Sequence, residues 1–244
     1  IQAAKTPDIL EAARLNLGLL GIIVDVTFNV VPRFHLHEHH WKEKIEELIK
    51  KVDILVSEND HFEFFWNPID DMAYAKTLNP HDGPTDSLPD QKGQYVDWAH
   101  IVFPSERNER HTEMEYSVPV EEGLACFQKI RSLILKGNHR IHWPIEYRTV
   151  AADTGWISPS RNRNTATISI HQGIDKPHEP FFREAEKVFI DFEGRPHWGK
   201  RHYMTKENLA SIYGEGWENF WQTQQKTDPD GLFVNTYMQN LRPE

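Results

Sequence analysis

Residues 141–150, IHWPIEYRTV, decide how the chain is read. Along this stretch Trp143, Ile145 and Tyr147 leave one face of an extended backbone, while Glu146 and Arg148 leave the other. TATISIH at 165–171 alternates in the same way, with Ala166, Ile168 and Ile170 against Thr167, Ser169 and His171. So does TEMEYSV at 112–118, where Met114, Tyr116 and Val118 oppose Glu113, Glu115 and Ser117. One-sided alternation is the pattern of antiparallel strands with a single buried face. Helical spacing lies between and beyond them. Leu124, Phe127, Ile130 and Ile134 form one stripe, and a second helix over 179–192 stops at Gly194. Strands and helices in this order predict an α+β fold: an antiparallel sheet of about four strands, backed by helices on one face.

Outward from that centre, HFEFFWN at 61–67 reads as an aromatic strand. Ile45, Leu48, Ile49 and Val52 read as a helix whose other face carries Glu43, Glu46, Glu47, Lys50 and Lys51. Residues 78–93 hold three prolines and two glycines and read as a loop. At the start, 3–15 has a short helical pattern. Residues 18–31, GLLGIIVDVTFNVV, form a β-branched apolar run closed by Pro32, which reads as a strand buried along most of its length. A lone strand is not stable, and few partners are in view. Residues 1–33 are therefore expected to end one domain, and 34–244 to form another.

The 244 residues are 39% hydrophobic and 26% charged, the balance of a globular protein. A formal charge of −10 argues against nucleic acid and anionic membranes as partners. The longest apolar stretch, 17–24, falls well short of the roughly 20 residues of a membrane span, so no transmembrane segment is expected. Nothing resembles a secretory signal, which leaves the compartment cytoplasmic or unassigned. The one cysteine, Cys126, excludes an internal disulfide and any multi-cysteine metal site; its helical phase makes it a small buried hydrophobe.

Two constellations carry chemistry. Glu146 and Arg148 share a strand face, so the carboxylate can fix the guanidinium for gripping hydroxyls or stabilising developing negative charge. Taken alone, the pair also reads as a surface contact worth at most about 1 kcal/mol. RPHWGKRH at 195–202 packs special residues into one turn after a helix end, either a functional loop or a basic surface turn. His35, His37 and His39 alternate on a strand and could share a metal, but they read as solvated, and no metal is expected. Phosphate-binding glycine loops and a GxSxG elbow are missing from the sequence.

The segments AARLNLGLLGIIVDVTFNVVPRFHL (12–36), NDHFEFFWNP (59–68), TEMEYSVP (112–119), PIEYRT (144–149), GRPHWGKRHY (194–203) and DPDGLFVNTYMQNL (228–241) together resemble the C-terminal half of the sugar-lactone and alditol oxidoreductases. These are flavoproteins of the vanillyl-alcohol-oxidase type, and the likeness is strongest to the gulonolactone branch. The resemblance implies an FAD-binding domain, of which 1–33 would be the last part, with Gly21 and Ile22 lying against the cofactor. Residues 34–244 would form the substrate or cap domain, with the C-terminal segment returning to the FAD domain. Glu146 and Arg148 would be the active-site pair. Lys200 would reach the reacting hydroxyl or the flavin, and His171, His197 and Trp198 would contact substrate. Asn235, within F-x-N-x-Y, would lie in the segment that returns to the FAD domain and take part in cofactor binding. The implied reaction is oxidation of a gulono-, galactono- or arabinono-1,4-lactone by hydride transfer to flavin. An alditol oxidase, or a sugar-binding module without catalysis, are the alternatives. The chain starts at Ile1, not Met, and carries an unpartnered strand. On this reading the FAD-binding N-terminal half is expected as a separate or cleaved polypeptide.

Overall fold

The computed structural model describes residues 5–83, 92–104, 109–137 and 139–243. After a short helix α1 (Pro7–Ala13), strand β1 (His35–Lys44) leads into α2 (Ile45–Ile49) and α3 (Val52–Glu58). Strands β2 (His61–Asn67), β3 (Met72–His81) and β4 (Gln94–Trp98) follow, then α4 (Ala99–Val102) and β5 (His111–Pro119). Helix α5 (Gly123–Lys136) precedes β6 (Ile145–Val150) and β7 (Thr165–Gly173). Helix α6 (Glu179–Asp191), β8 (Arg195–Pro196), α7 (Lys206–Tyr213), α8 (Glu215–Thr227) and α9 (Thr236–Leu241) complete the described chain.

The strands form one sheet in the order β4-β1-β3-β2-β6-β7-β5-β8, antiparallel at every pairing. The α+β architecture agrees with the alternation in the sequence, but among the described residues the sheet has eight strands where about four are expected. The expected loop over 78–93 overlaps β3, which runs on to His81; its stretch 84–91 lies outside the described residues. Pro80 is tolerated because the β2 partner ends at His61 opposite Leu78, so beyond that point β3 is paired only with β1. The single helix expected near 45–52 is instead two, α2 and α3.

The core lies between the apolar sheet face and the helices. Phe64, Met114, Tyr116, Ile145, Tyr147 and Ile168 from the strands are buried against Phe127 and Ile130 of α5 and Phe182 and Phe189 of α6. Helix α5 comes so close that a Cβ on Gly123 would collide with the Ala166 methyl and the Tyr147 hydroxyl. Cys126 is buried in this layer, and burial pushes its thiol up to about 12.

The run 18–31 forms no strand: residues 21–34 have no regular backbone pairing. Ile22, Val24, Phe28 and Val30 are exposed, Val24 to 92%. The physical reason is the one visible in the sequence, since strand propensity without a partner edge makes no ladder. No described helix is long and apolar enough to cross a membrane.

Candidate active site

Facing residues on antiparallel neighbours point the same way, and the central register therefore gathers the polar faces of three strands. Glu115 of β5 and Glu146 of β6 both lie opposite Ser169 of β7. Glu113 lies opposite His171, while Ser117 and Arg148 flank Thr167. The face turned away from the helical core thus carries a row of carboxylates, hydroxyls, an imidazole and a guanidinium.

Lys200 reaches this row through the backbone that follows β8. The His197 N–H donates to the Glu115 carbonyl and the Arg201 N–H to the Glu113 carbonyl, each at 2.9 Å. The turn closed by Lys200 N–H to His197 carbonyl sets the lysine between these two anchors. Its ammonium donates to Glu113 Oε1 at 2.5 Å and to Glu115 Oε2 at 2.6 Å.

Glu115 is the hub. Only 2% exposed, it accepts from Lys200, from the Ser169 hydroxyl at 2.5 Å and from Arg148 Nη2 at 3.2 Å. Burial alone would raise its proton affinity, but Lys200, Ser169 and Arg148 outweigh burial and hold the carboxyl below the usual range. Glu113 follows the same logic: burial opposes ionisation, and His171 and Lys200 overcome it to leave the carboxyl well below the usual range. Burial disfavours the Arg148 charge, which Glu115 and Glu146 more than restore.

The expected Glu146–Arg148 pair is therefore arranged differently. The two share a face, but Arg148 hydrogen-bonds Glu115, and its Nε stands 3.9 Å from Glu146 Oε1. That Nε is buried and makes no hydrogen bond. A cavity of about 780 Å³ opens on this face, lined by Glu146, Arg148 and His171 together with Glu63, Lys76 and Trp143. His171 is 2% exposed, its Nδ1 at 2.9 Å from the Pro144 carbonyl.

The other residues singled out in the sequence lie elsewhere. Trp198 donates to the Ile157 carbonyl at 2.8 Å and stacks parallel to Trp217, so it packs with the helices and does not line the cavity. His197 accepts from the Gly199 N–H at 3.1 Å and also does not line it. Asn235 caps α9, its Oδ1 accepting from the Met238 N–H at 2.9 Å. Gly21 and Ile22 fall in the unpaired segment. His35 and His39 stack on Trp98 and Trp41, and His37 contacts Gln94.

Glu113, Glu115 and Ser169 are absent from the sequence-derived site. Their signal was the polar phase of TEMEYSV and TATISIH, which solvent exposure would produce equally well. What makes them functional candidates is the adjacency of β5 to β7.

A family model described as D-arabinono-1,4-lactone oxidase matches residues 26–97 and 87–241. An L-gulono-1,4-lactone dehydrogenase of Mycobacterium tuberculosis is 34% identical, across 94% of this chain and 63% of its own length. An L-gulonolactone oxidase of Scyliorhinus torazame is 24% identical, across 95% of this chain and 62% of its own. The chain thus spans less than two thirds of these curated relatives. Among solved structures, cholesterol oxidase from Brevibacterium sterolicum superposes with a TM-score of 0.78 over 97% of this chain and 64% of that one. At 15% identity, that likeness is one of fold.

Proposed function

The chain belongs to the D-arabinono-1,4-lactone oxidase family, and from that premise we propose that it supplies the substrate-binding portion of an FAD-dependent oxidoreductase acting on sugar 1,4-lactones. The observation that carries this reading is one buried carboxylate, Glu115, joining Lys200 and Arg148 beside a cavity on the polar sheet face. The residues present fit a flavin edge and a polyol substrate in one testable respect: Arg148 Nε is a buried donor with no acceptor, and both ligands offer oxygen acceptors. When bound, the flavin supplies the hydride acceptor.

The chain's own residues would do the rest. Arg148, at the cavity wall, is a fixed cation that stabilises negative charge as it develops on an oxygen there. Lys200, which does not line the cavity, acts behind it through their shared partner Glu115. Glu146, buried at the cavity wall, accepts a hydrogen bond from a substrate hydroxyl. His171 lines the same wall and helps to orient the ring. The exposed apolar run 21–34 would dock against the FAD-binding portion, which removes Ile22, Val24 and Phe28 from water.

The test is turnover by the protein purified together with its FAD-binding portion, using gulono-, galactono- and arabinono-1,4-lactones and open-chain alditols with an artificial electron acceptor. Reduction by a lactone, slowed by orders of magnitude in Arg148→Ala and weakened in Lys200→Met, supports the reading. Preferential reduction by alditols would reassign the substrate. Binding of lactones without reduction would make the chain a sugar-binding module.

A further inference from the structure

At one end of the polar row, two imidazoles aim at one carboxylate. His171 Nδ1 lies 2.9 Å from the Pro144 carbonyl, and His111 Nδ1 lies 3.0 Å from the Glu109 carbonyl. A carbonyl can only accept, so both Nδ1 atoms carry the proton, and in the neutral rings both Nε2 atoms are bare lone pairs. Those lone pairs face Glu113. His171 Nε2 is 3.2 Å from Oε1, and His111 Nε2 is 3.8 Å from Oε2. His171 is 2% exposed, and its Nε2 makes no hydrogen bond. Acceptors converging on an acceptor are unfavourable unless a positive charge, either an added imidazole proton or a metal ion, lies between them.

We infer that His111, Glu113 and His171 form a binding site for a divalent cation of the zinc class. One ligand atom from each lies within 4.8 Å of the others. A tetrahedral ion with bonds of about 2.0–2.1 Å holds its ligands roughly 3.4 Å apart, so closure asks for a movement on the order of 1 Å. Of the two rings His111 is the less buried and the one to make it, resting on Trp143, whose ring lies 4.9 Å away. Carbonyls that hold the Nδ1–H of each ligand ring are the usual support of imidazole metal ligands. Two nitrogens and one carboxylate oxygen suit Zn²⁺, Co²⁺ or Cu²⁺ over Mg²⁺ or Ca²⁺, and three protein ligands leave one position for water.

The site touches the charge cluster through Glu113, whose Oε1 also receives Lys200. A cation on Glu113 competes with that ammonium and leaves Lys200 to Glu115. The inference does not depend on the reaction proposed above, because its readout is binding.

The experiment strips the purified full-length protein with a chelator and titrates it with Co²⁺ and then Zn²⁺. Cobalt absorption reports ligand geometry, and elemental analysis reports stoichiometry. One equivalent per chain is expected, with a tetrahedral cobalt spectrum displaced by zinc. His111→Ala and Glu113→Gln should each weaken binding at least tenfold, while the double change His37→Ala, His39→Ala should leave it intact. His171→Ala removes a fully buried ring and risks the fold, so His111→Ala carries the test. Absence of saturable binding, equal affinity in His111→Ala, or loss confined to the His37, His39 variant would each overturn the assignment.

Discussion

Glu115 Oε2 lies 2.6 Å from the Lys200 ammonium, and the same carboxylate accepts from Arg148. A single buried anion therefore joins these two cations, with Glu113 sharing Lys200. Glu115→Gln should keep the shape while removing the charge that orients them. Turnover is expected to fall on the order of a hundredfold, the usual effect of displacing a catalytic group by about 1 Å. The measurement is kcat and KM for wild type and variant, with thermal unfolding as the control on folding. Unchanged kcat in a folded variant would show that the two cations hold their places without it.

Arg148→Ala removes one fixed cation beside the cavity. Loss of a single electrostatic stabiliser costs roughly 10²–10³ in rate when it acts on the transition state. The loss should appear in kcat, and Glu115 keeps Lys200 and Ser169 as partners, so the fold survives. Near-normal turnover would remove Arg148 from the chemistry.

On the opposite side of the sheet, the Tyr116 hydroxyl donates to Glu186 Oε1 at 2.5 Å. That oxygen also accepts from the Tyr203 N–H at 2.6 Å. Tyr116→Phe leaves a buried carboxylate with one donor fewer, which costs about 1–3 kcal/mol. Denaturant unfolding should report that loss with turnover unaltered, because Tyr116 faces the helices, not the cavity.

Burial lowers the His202 pKa to about 4, with Nε2 held by the Tyr237 hydroxyl at 2.6 Å and Nδ1 without a partner. The folded state thus binds fewer protons here than the unfolded state, whose histidine titrates near 6.5. The contribution is fully present above about pH 6.5 and is lost as pH falls toward 4. Melting temperature followed across that window should decline less steeply in His202→Gln than in wild type. Parallel curves would place the acid sensitivity in other groups.

The alternation in 112–118, 145–150 and 165–171 is legible because each strand turns one apolar face to the helices, whereas 61–67 is legible through its aromatic residues. Strand β1 is not legible as part of the sheet because HLHEHHWKEK offers almost no apolar phase; it is held by ladders to β3 and β4 on either side. Strand β8 has two residues, too few for any period. At the site, Arg148 and Lys200 stood in recognisable segments. Glu113 and Glu115 did not stand out, because a carboxylate facing water and one facing a lysine from 85 residues away look alike until the chain is folded.

The backbone bonds from His197 and Arg201 to the Glu115 and Glu113 carbonyls flank Lys200 on both sides. The lysine is thereby laced to the strand that bears its own counter-ions. Any rocking of this sheet against a neighbouring body would carry ammonium and carboxylates as one rigid cassette, with their spacing preserved throughout the stroke. Slack would have to be introduced inside the lacing itself. A residue inserted between His197 and Arg201 would uncouple the charge from its cradle while leaving every side chain in the sequence intact.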